Sequence, residues 1–215
     1  MRVPRLHAIT DDARLADARF VDDAAAMLEA GGEDLALHLR GRLTTAARLY
    51  ELATTLLPIA RAHGAKLLVN DRVDVALVAK ADGVQLREDS LDASRARAIL
   101  GSDALIGVSR HERSMHAQPD ADFVIFGSIY ETRSHVGAAA AGIGALRAAA
   151  SGVGRQASGT AVPLIAIGGI TPARVAEIMK AGAYGVAALS GLWGQDRQAI
   201  AEYLNQLQLH ADSDA

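Results

Sequence analysis

The chain has no cysteine among its 215 residues. That excludes disulfides, thiolate nucleophiles and thiolate metal sites. Aromatic residues are scarce, at 4%, with a single tryptophan, and there are only five prolines. No apolar run approaches the roughly 20 residues that cross a bilayer. Neither sign of charge dominates: 22 Lys and Arg stand against 25 Asp and Glu, a formal net charge of −3 at pH 7. With no basic surplus, neither nucleic acid nor an anionic membrane is expected as a partner. The first residues carry no signal-peptide pattern and reach a strand-like run within about five residues, so a cytoplasmic location is expected.

What the chain does have is aliphatic bulk. Half of its residues are hydrophobic, and Ala, Leu, Val and Ile supply most of them. That composition suits a buried parallel sheet covered by helices. The length suits one domain with a sizeable core.

Strand-like and helix-like segments alternate throughout. Strands are predicted over 6–10, 34–39, 66–70, 83–86, 105–109, 123–126, 164–167 and 186–189. Helices are predicted over 20–30, 44–63, 73–80, 91–100, near 113–117, near 143–150, 172–181 and 196–209. Eight units of roughly 27 residues predict an α/β chain folded as a minimal (β/α)8 TIM barrel, a single domain over 1–209. Residues 210–215 read as a frayed tail, and 151–160 as a Gly-rich surface loop. An open doubly wound sheet is the alternative, but eight regular units favour closure. Ala81-Asp82-Gly83-Val84, Ala121-Asp122-Phe123-Val124 and Ala183-Tyr184-Gly185-Val186 read as one helix-to-strand junction used three times.

Barrels of this kind collect chemistry at the carboxyl ends of their strands. Two apolar runs end abruptly in small residues there: Ile165-Ala166-Ile167-Gly168-Gly169-Ile170-Thr171-Pro172, and Val186-Ala187-Ala188-Leu189-Ser190-Gly191. Thr171 suits a helix N-cap and Pro172 the first helical position. Adjacent strands ending in Gly168-Gly169 and Ser190-Gly191 offer a nest of backbone N–H donors for a phosphate. A small phosphorylated ligand is therefore expected.

The remaining strand ends carry Thr10, Asp11, His38, Arg40, Arg42, Asn70, Asp71, Gln85, Arg87, Ser109, His111 and Ser128, followed by the loop Thr132-Arg133-Ser134-His135. His38 and Arg40 alternate with Leu37 and Leu39, so they share one face of their strand, and arginines at a barrel mouth suit phosphate or carboxylate. Asn70 suits a polar ring edge. Asp71 either caps the helix beginning near Val73 or helps to hold Mg2+, which usually takes one or two carboxylates plus substrate phosphates. His111 and His135 are the acid–base candidates by residue type, with a solvated surface imidazole as the plain alternative for each. His63, His116 and His210 fall in helical or tail segments and read as structural. Glu131 is either a mouth carboxylate or a loop charge.

Together these residues resemble the thiamin phosphate synthase and TenI superfamily over nearly the whole chain. The matching segments are Leu6-His7-Ala8-Ile9-Thr10-Asp11-Asp12, Leu37-His38-Leu39-Arg40-Gly41-Arg42, Val69-Asn70-Asp71-Arg72, Ala81-Asp82-Gly83-Val84-Gln85-Leu86, Ile106-Gly107-Val108-Ser109-Arg110-His111 and Ala121-Asp122-Phe123-Val124-Ile125-Phe126-Gly127. The two runs at 165–172 and 181–191 complete them. The resemblance implies a thiazole phosphate as ligand, bound at Gly168, Gly169, Ser190 and Gly191. A homo-oligomer is compatible with it.

The superfamily implies two activities. A synthase joins an aminopyrimidine diphosphate to a thiazole phosphate and releases diphosphate. There Arg40, Arg42, Thr132, Ser134 and His135 would grip diphosphate, Asn70 would bind the pyrimidine and Asp71 would hold Mg2+. This chain departs from the synthase pattern at His38 (Gln in the pattern), Arg42 (Lys), Ser90 (the second Mg2+ carboxylate, with Asp89 adjacent) and His135 (Lys). The TenI branch isomerises a carboxythiazole phosphate to its aromatic tautomer and needs no cofactor. The local wording fits that branch better, so thiazole tautomerase is the leading expectation. Arg40 would then hold the substrate carboxylate, and His135 or His111 would shuttle the proton, because Ser128 stands where the branch has a histidine base. A binder that kept the phosphate nest and lost its chemistry is the third reading.

Overall fold

In this computed structural model, residues 2–111, 120–132, 140–152, 161–193 and 197–211 are described. Eight parallel strands close on themselves in chain order, each paired with its sequence neighbours and β1 with β8. The strands are β1 (Leu6–Ile9), β2 (Leu35–Leu39), β3 (Lys66–Asn70), β4 (Gly83–Leu86), β5 (Leu105–Arg110), β6 (Phe123–Gly127), β7 (Leu164–Ile167) and β8 (Gly185–Ala188). The helices among the described residues are α1 (Asp12–Ala16), α2 (Phe20–Gly31), α3 (Ala46–Ala62), α4 (Val73–Ala79), α5 (Ala93–Leu100), α6 (Gly142–Gly152), α7 (Pro172–Lys180) and α8 (Arg197–Ala211). The expected TIM barrel is present, and the open-sheet alternative is excluded by the β1–β8 pairing.

Strand alternation sorts side chains into two cores. Leu37, Leu39, Val69, Val84, Leu86 and Val108 point outward and pack under the helices. Ile9, Ala36, Leu68, Leu105, Phe123, Ile125, Ile165 and Ala187 point inward and fill the barrel. Each aliphatic side chain buried this way contributes about 1.5–3 kcal/mol relative to exposure.

The thrice-used junction is physical. The N–H groups of Asp82, Asp122 and Tyr184 donate to the carbonyls of Leu67, Ile106 and Leu164, each on the preceding strand, at 2.9, 2.7 and 2.8 Å. Asp82 and Asp122 each accept a second bond from that same strand, from Leu67 N at 2.8 Å and Ile106 N at 2.7 Å.

Most boundaries fall within two residues of expectation. The short α1 was not anticipated. Asp11, read as a strand-end candidate, instead caps it by accepting from Arg14 N at 2.9 Å. Helix α8 runs through His210 to Ala211, so those two residues belong to the helix and not to a tail. The predicted helix near 113–117, most of the loop 151–160 and residues 212–215 lie outside the described residues.

Candidate functional site: a barrel mouth with a polar wall and a glycine corner

The inner wall is chemically divided. Beside the apolar Ile9, Ala36, Leu68 and Leu105, inward positions of β1 to β5 carry the polar His7, His38, Asn70, Gln85 and Ser109, whereas those of β6 to β8 carry Phe123, Ile125, Ile165, Ile167 and Ala187 and no polar side chain. His7 and His38 are fully buried. His7 Nε2 lies 2.9 Å from the Pro4 carbonyl, and His7 Nδ1 lies 2.8 Å from His38 Nε2. His38 Nδ1 lies 3.3 Å from Asn70 Oδ1. Burial pushes His7 down to about 4. Burial and then the neighbouring His7 hold His38 well below the usual histidine range. Both rings are therefore neutral at pH 7.

Further round the wall, Gln85 Nε2 donates to Ser109 Oγ at 3.0 Å. Gln85 Oε1 is buried with no hydrogen-bond partner among the described residues. It sits beside Gly107, where a Cβ would collide with that oxygen and with the Phe123 ring.

At the rim, Thr10 joins β1 to β2. Its hydroxyl accepts from Arg40 N at 2.7 Å and shares its proton between the carbonyls of His38 and Arg40, at 3.0 and 2.9 Å. This holds half-buried Arg40 at the mouth. Asp12 accepts from Arg42 N, Leu43 N and Thr44 N at 2.9 Å each, and from Thr44 Oγ1 at 2.8 Å. Burial opposes its ionisation, but these bonds outweigh it and hold Asp12 below the usual carboxylate range. Arg42 itself is exposed.

Asp71 adopts a left-handed conformation, φ 61. It does not cap α4, whose N-cap is Arg72 without a side-chain bond. The Asp71 side chain instead accepts from Arg87 N at 2.9 Å and pairs with Arg87 Nε at 2.9 Å. The same Nε lies 3.7 Å from Asp89. No group of three or more His, Cys, Asp or Glu residues gathers among the described residues. Asp71 and Asp89 are two carboxylates on one guanidinium, a number that would hold Mg2+ only together with phosphate ligands.

The opposite corner is built from backbone. Gly168 and Gly169 follow β7 with φ 105 and 64. A Cβ at Gly168 would lie 2.6 Å from Ser128 Cα, and one at Gly169 would lie 2.8 Å from Tyr130 Cβ. Only glycine lets the ends of β6 and β7 approach this closely. Thr171 is the N-cap of α7 and Pro172 opens it, as expected, although the Thr171 hydroxyl makes no cap bond. Arg174 donates to the Gly169 carbonyl at 2.6 Å and lies 4.1 Å over the Tyr130 ring. Ser190 and Gly191 follow β8, which pairs with β7 through Ile167 and Ala187.

His111 is drawn to this side. Its Nδ1 donates to the Gly127 carbonyl at 2.8 Å, next to Ser128. Half-buried Thr132 closes the described part of its loop; Ser134 and His135 lie outside the described residues. Three contributors were missed in the sequence: His7, Arg174 and Tyr203. His7 was legible in principle, since the alternation that turns His38 inward also turns His7 inward. The other two sit on helices, where nothing in the local sequence marks them.

A closed parallel barrel whose carboxyl rim carries arginines on one side and a glycine corner on the other defines a (β/α)8 TIM-barrel protein. The chain belongs to the thiamine monophosphate synthase (TMP-TENI) family, whose model matches residues 6–192. It is 38% identical over 204 residues, 93% of each chain, to a thiamine-phosphate synthase of Chromobacterium violaceum. It is 41% identical to a putative thiamine-phosphate synthase of Geobacter sulfurreducens, over 76% of this chain and 82% of that one. A thiamine phosphate pyrophosphorylase from Pyrococcus furiosus superposes with a TM-score of 0.76 at 28% identity, covering 96% of both chains.

Proposed function

We propose that this chain catalyses the thiamin phosphate synthase reaction, joining an aminopyrimidine diphosphate to a thiazole phosphate and releasing diphosphate. This reverses the order in which the sequence ranked the two activities. The observation that carries it is the divided mouth. A polar wall ending in Asn70 and Asp71 faces a separate glycine corner at β7 and β8, so there is one place for each of two substrates. The names of the relatives support the same choice.

In this reading, Asn70 with His38 behind it orients the pyrimidine edge. Main-chain N–H groups at Gly168, Gly169, Ser190 and Gly191 hold the thiazole phosphate, and Ser109 and Ser128 line the space between. Arg40, Arg42, Thr132, Ser134 and His135 take the diphosphate, and Asp71 with neighbouring Asp89 would hold Mg2+. When bound, Mg2+ supplies charge stabilisation for the leaving group. As the C–O bond to diphosphate breaks, the arginines offset the negative charge that moves onto it. The thiazole nitrogen lone pair then forms the new C–N bond. No side chain has to exchange a proton in that sequence.

One observation favours the tautomerase as the second reading. His111 stands beside Ser128, and because Nδ1 donates to Gly127, Nε2 is the basic nitrogen of its neutral ring. The test is both reactions side by side, with and without EDTA. Diphosphate release that EDTA abolishes is the expected result. Aromatisation of carboxythiazole phosphate that resists EDTA and is lost in His111→Ala would overturn it in favour of the tautomerase. Thiazole phosphate binding with neither turnover would overturn it in favour of a binder.

A further inference from the structure

Hydrogen-bond direction along the buried chain Pro4–His7–His38–Asn70 is fixed by its first member. The Pro4 carbonyl can only accept, so His7 Nε2 carries a proton. In a neutral ring, His7 Nδ1 then holds a lone pair and accepts from His38 Nε2–H. His38 Nδ1 is left with a lone pair of its own, 3.3 Å from Asn70 Oδ1. Two acceptors cannot face each other, so the amide must turn over and present its NH2 to His38. The oxygen and nitrogen of an amide have the same shape, and the network decides which end is which. Turned over in this way, the amide points its carbonyl oxygen away from His38, toward the barrel mouth.

We propose that His38, locked by His7, is a positioning residue that fixes the Asn70 amide with its oxygen toward the ligand, so that the site selects a ring edge bearing an N–H donor. The claim rests on the reading of Asn70 as the ring-binding group. No lone rotamer preference would hold the amide this way, since both of its ends fit the space equally well. The two imidazoles make one end right and the other wrong. They do so inside the barrel, with Phe123 packed 5.0 Å from the His7 ring.

Two measurements test it. On the ligand-free wild-type protein labelled with 15N-histidine, NMR should show both buried rings as Nε2–H tautomers, each with an unprotonated Nδ1. A proton on His38 Nδ1 overturns the proposal and leaves the proposed function untouched. Binding of aminopyrimidine diphosphate is then compared with an analogue carrying a hydrogen in place of the amino group. Wild type should prefer the amino ring, and His7→Phe, which frees His38 to change tautomer, should lose about tenfold of that preference, the size of one well-made hydrogen bond. Thiazole phosphate affinity should stay unchanged in the same variant, which controls for misfolding. Correct tautomers with an unchanged preference in His7→Phe overturn the positioning role. Correct tautomers with no binding of either pyrimidine overturn the proposed function instead.

Discussion

The Tyr203 hydroxyl donates to the Ile170 carbonyl at 2.8 Å. The last helix thus grips the turn between β7 and α7, beside the glycine corner. A Cβ at Gly191 would lie 2.8 Å from that same hydroxyl oxygen, so Tyr203 braces both halves of the corner. It is fully buried, and burial pushes its phenol up to about 12. Tyr203→Phe should cost about 1–3 kcal/mol in urea unfolding, because the Ile170 carbonyl loses its partner. The raised value also predicts alkaline instability. An unfolded chain loses the phenolic proton near pH 10 and the folded one only near 12. Stability is therefore full below pH 10 and falls as pH rises toward 12, and Tyr203→Phe should flatten that fall.

The buried histidines predict the opposite limb. His7 takes a proton in the folded state only near pH 4, against an ordinary 6.5. Stability is present above pH 6.5 and is lost as pH falls toward 4, by an amount on the order of 3 kcal/mol. Urea midpoints measured from pH 7 down to 4 check this. His7→Phe should remove part of the slope and leave the part that buried His38 supplies, whatever it does to stability at pH 7.

The barrel could be read from the chain because its signals are local: alternating aliphatic runs, glycines closing helices, and the Asp82 and Asp122 junctions. The glycine corner was legible for the same reason, since Gly168 and Gly169 are adjacent in sequence. Asp71 was not legible. Its partner Arg87 lies sixteen residues away, across the β3–β4 pairing, so the cap reading looked equally good. The direction of the Asn70 amide depends on Pro4 and His7, more than sixty residues earlier, and no local pattern carries that information.

The glycine corner makes a direct prediction about phosphate. Gly168 has φ 105, and its Cβ position is 2.6 Å from Ser128 Cα. Gly168→Ala must therefore push β6 and β7 apart or change the backbone that presents the N–H donors. Thiazole phosphate affinity, measured by calorimetry, should fall at least about tenfold, the cost of losing roughly 1.4 kcal/mol of interaction. Far-UV circular dichroism should stay that of a folded barrel, since the substitution lies at a rim.

Arg87 sets the last prediction. Its guanidinium holds Asp71 at 2.9 Å and reaches Asp89 at 3.7 Å, where a cation carried on diphosphate would otherwise draw both carboxylates. Arg87 and a Mg2+ ion bound there would therefore compete for the same negative charge. The pair is partly exposed, so the competition is modest, since exposed ion pairs are worth about 0–1 kcal/mol. Arg87→Ala should lower the Mg2+ concentration giving half-maximal diphosphate release by up to about fivefold. Asp71→Asn should move it the other way or abolish the metal response. A Mg2+ titration of the three proteins at saturating substrate decides the point, and a curve unmoved by Arg87→Ala would show that the guanidinium and the ion occupy separate ground.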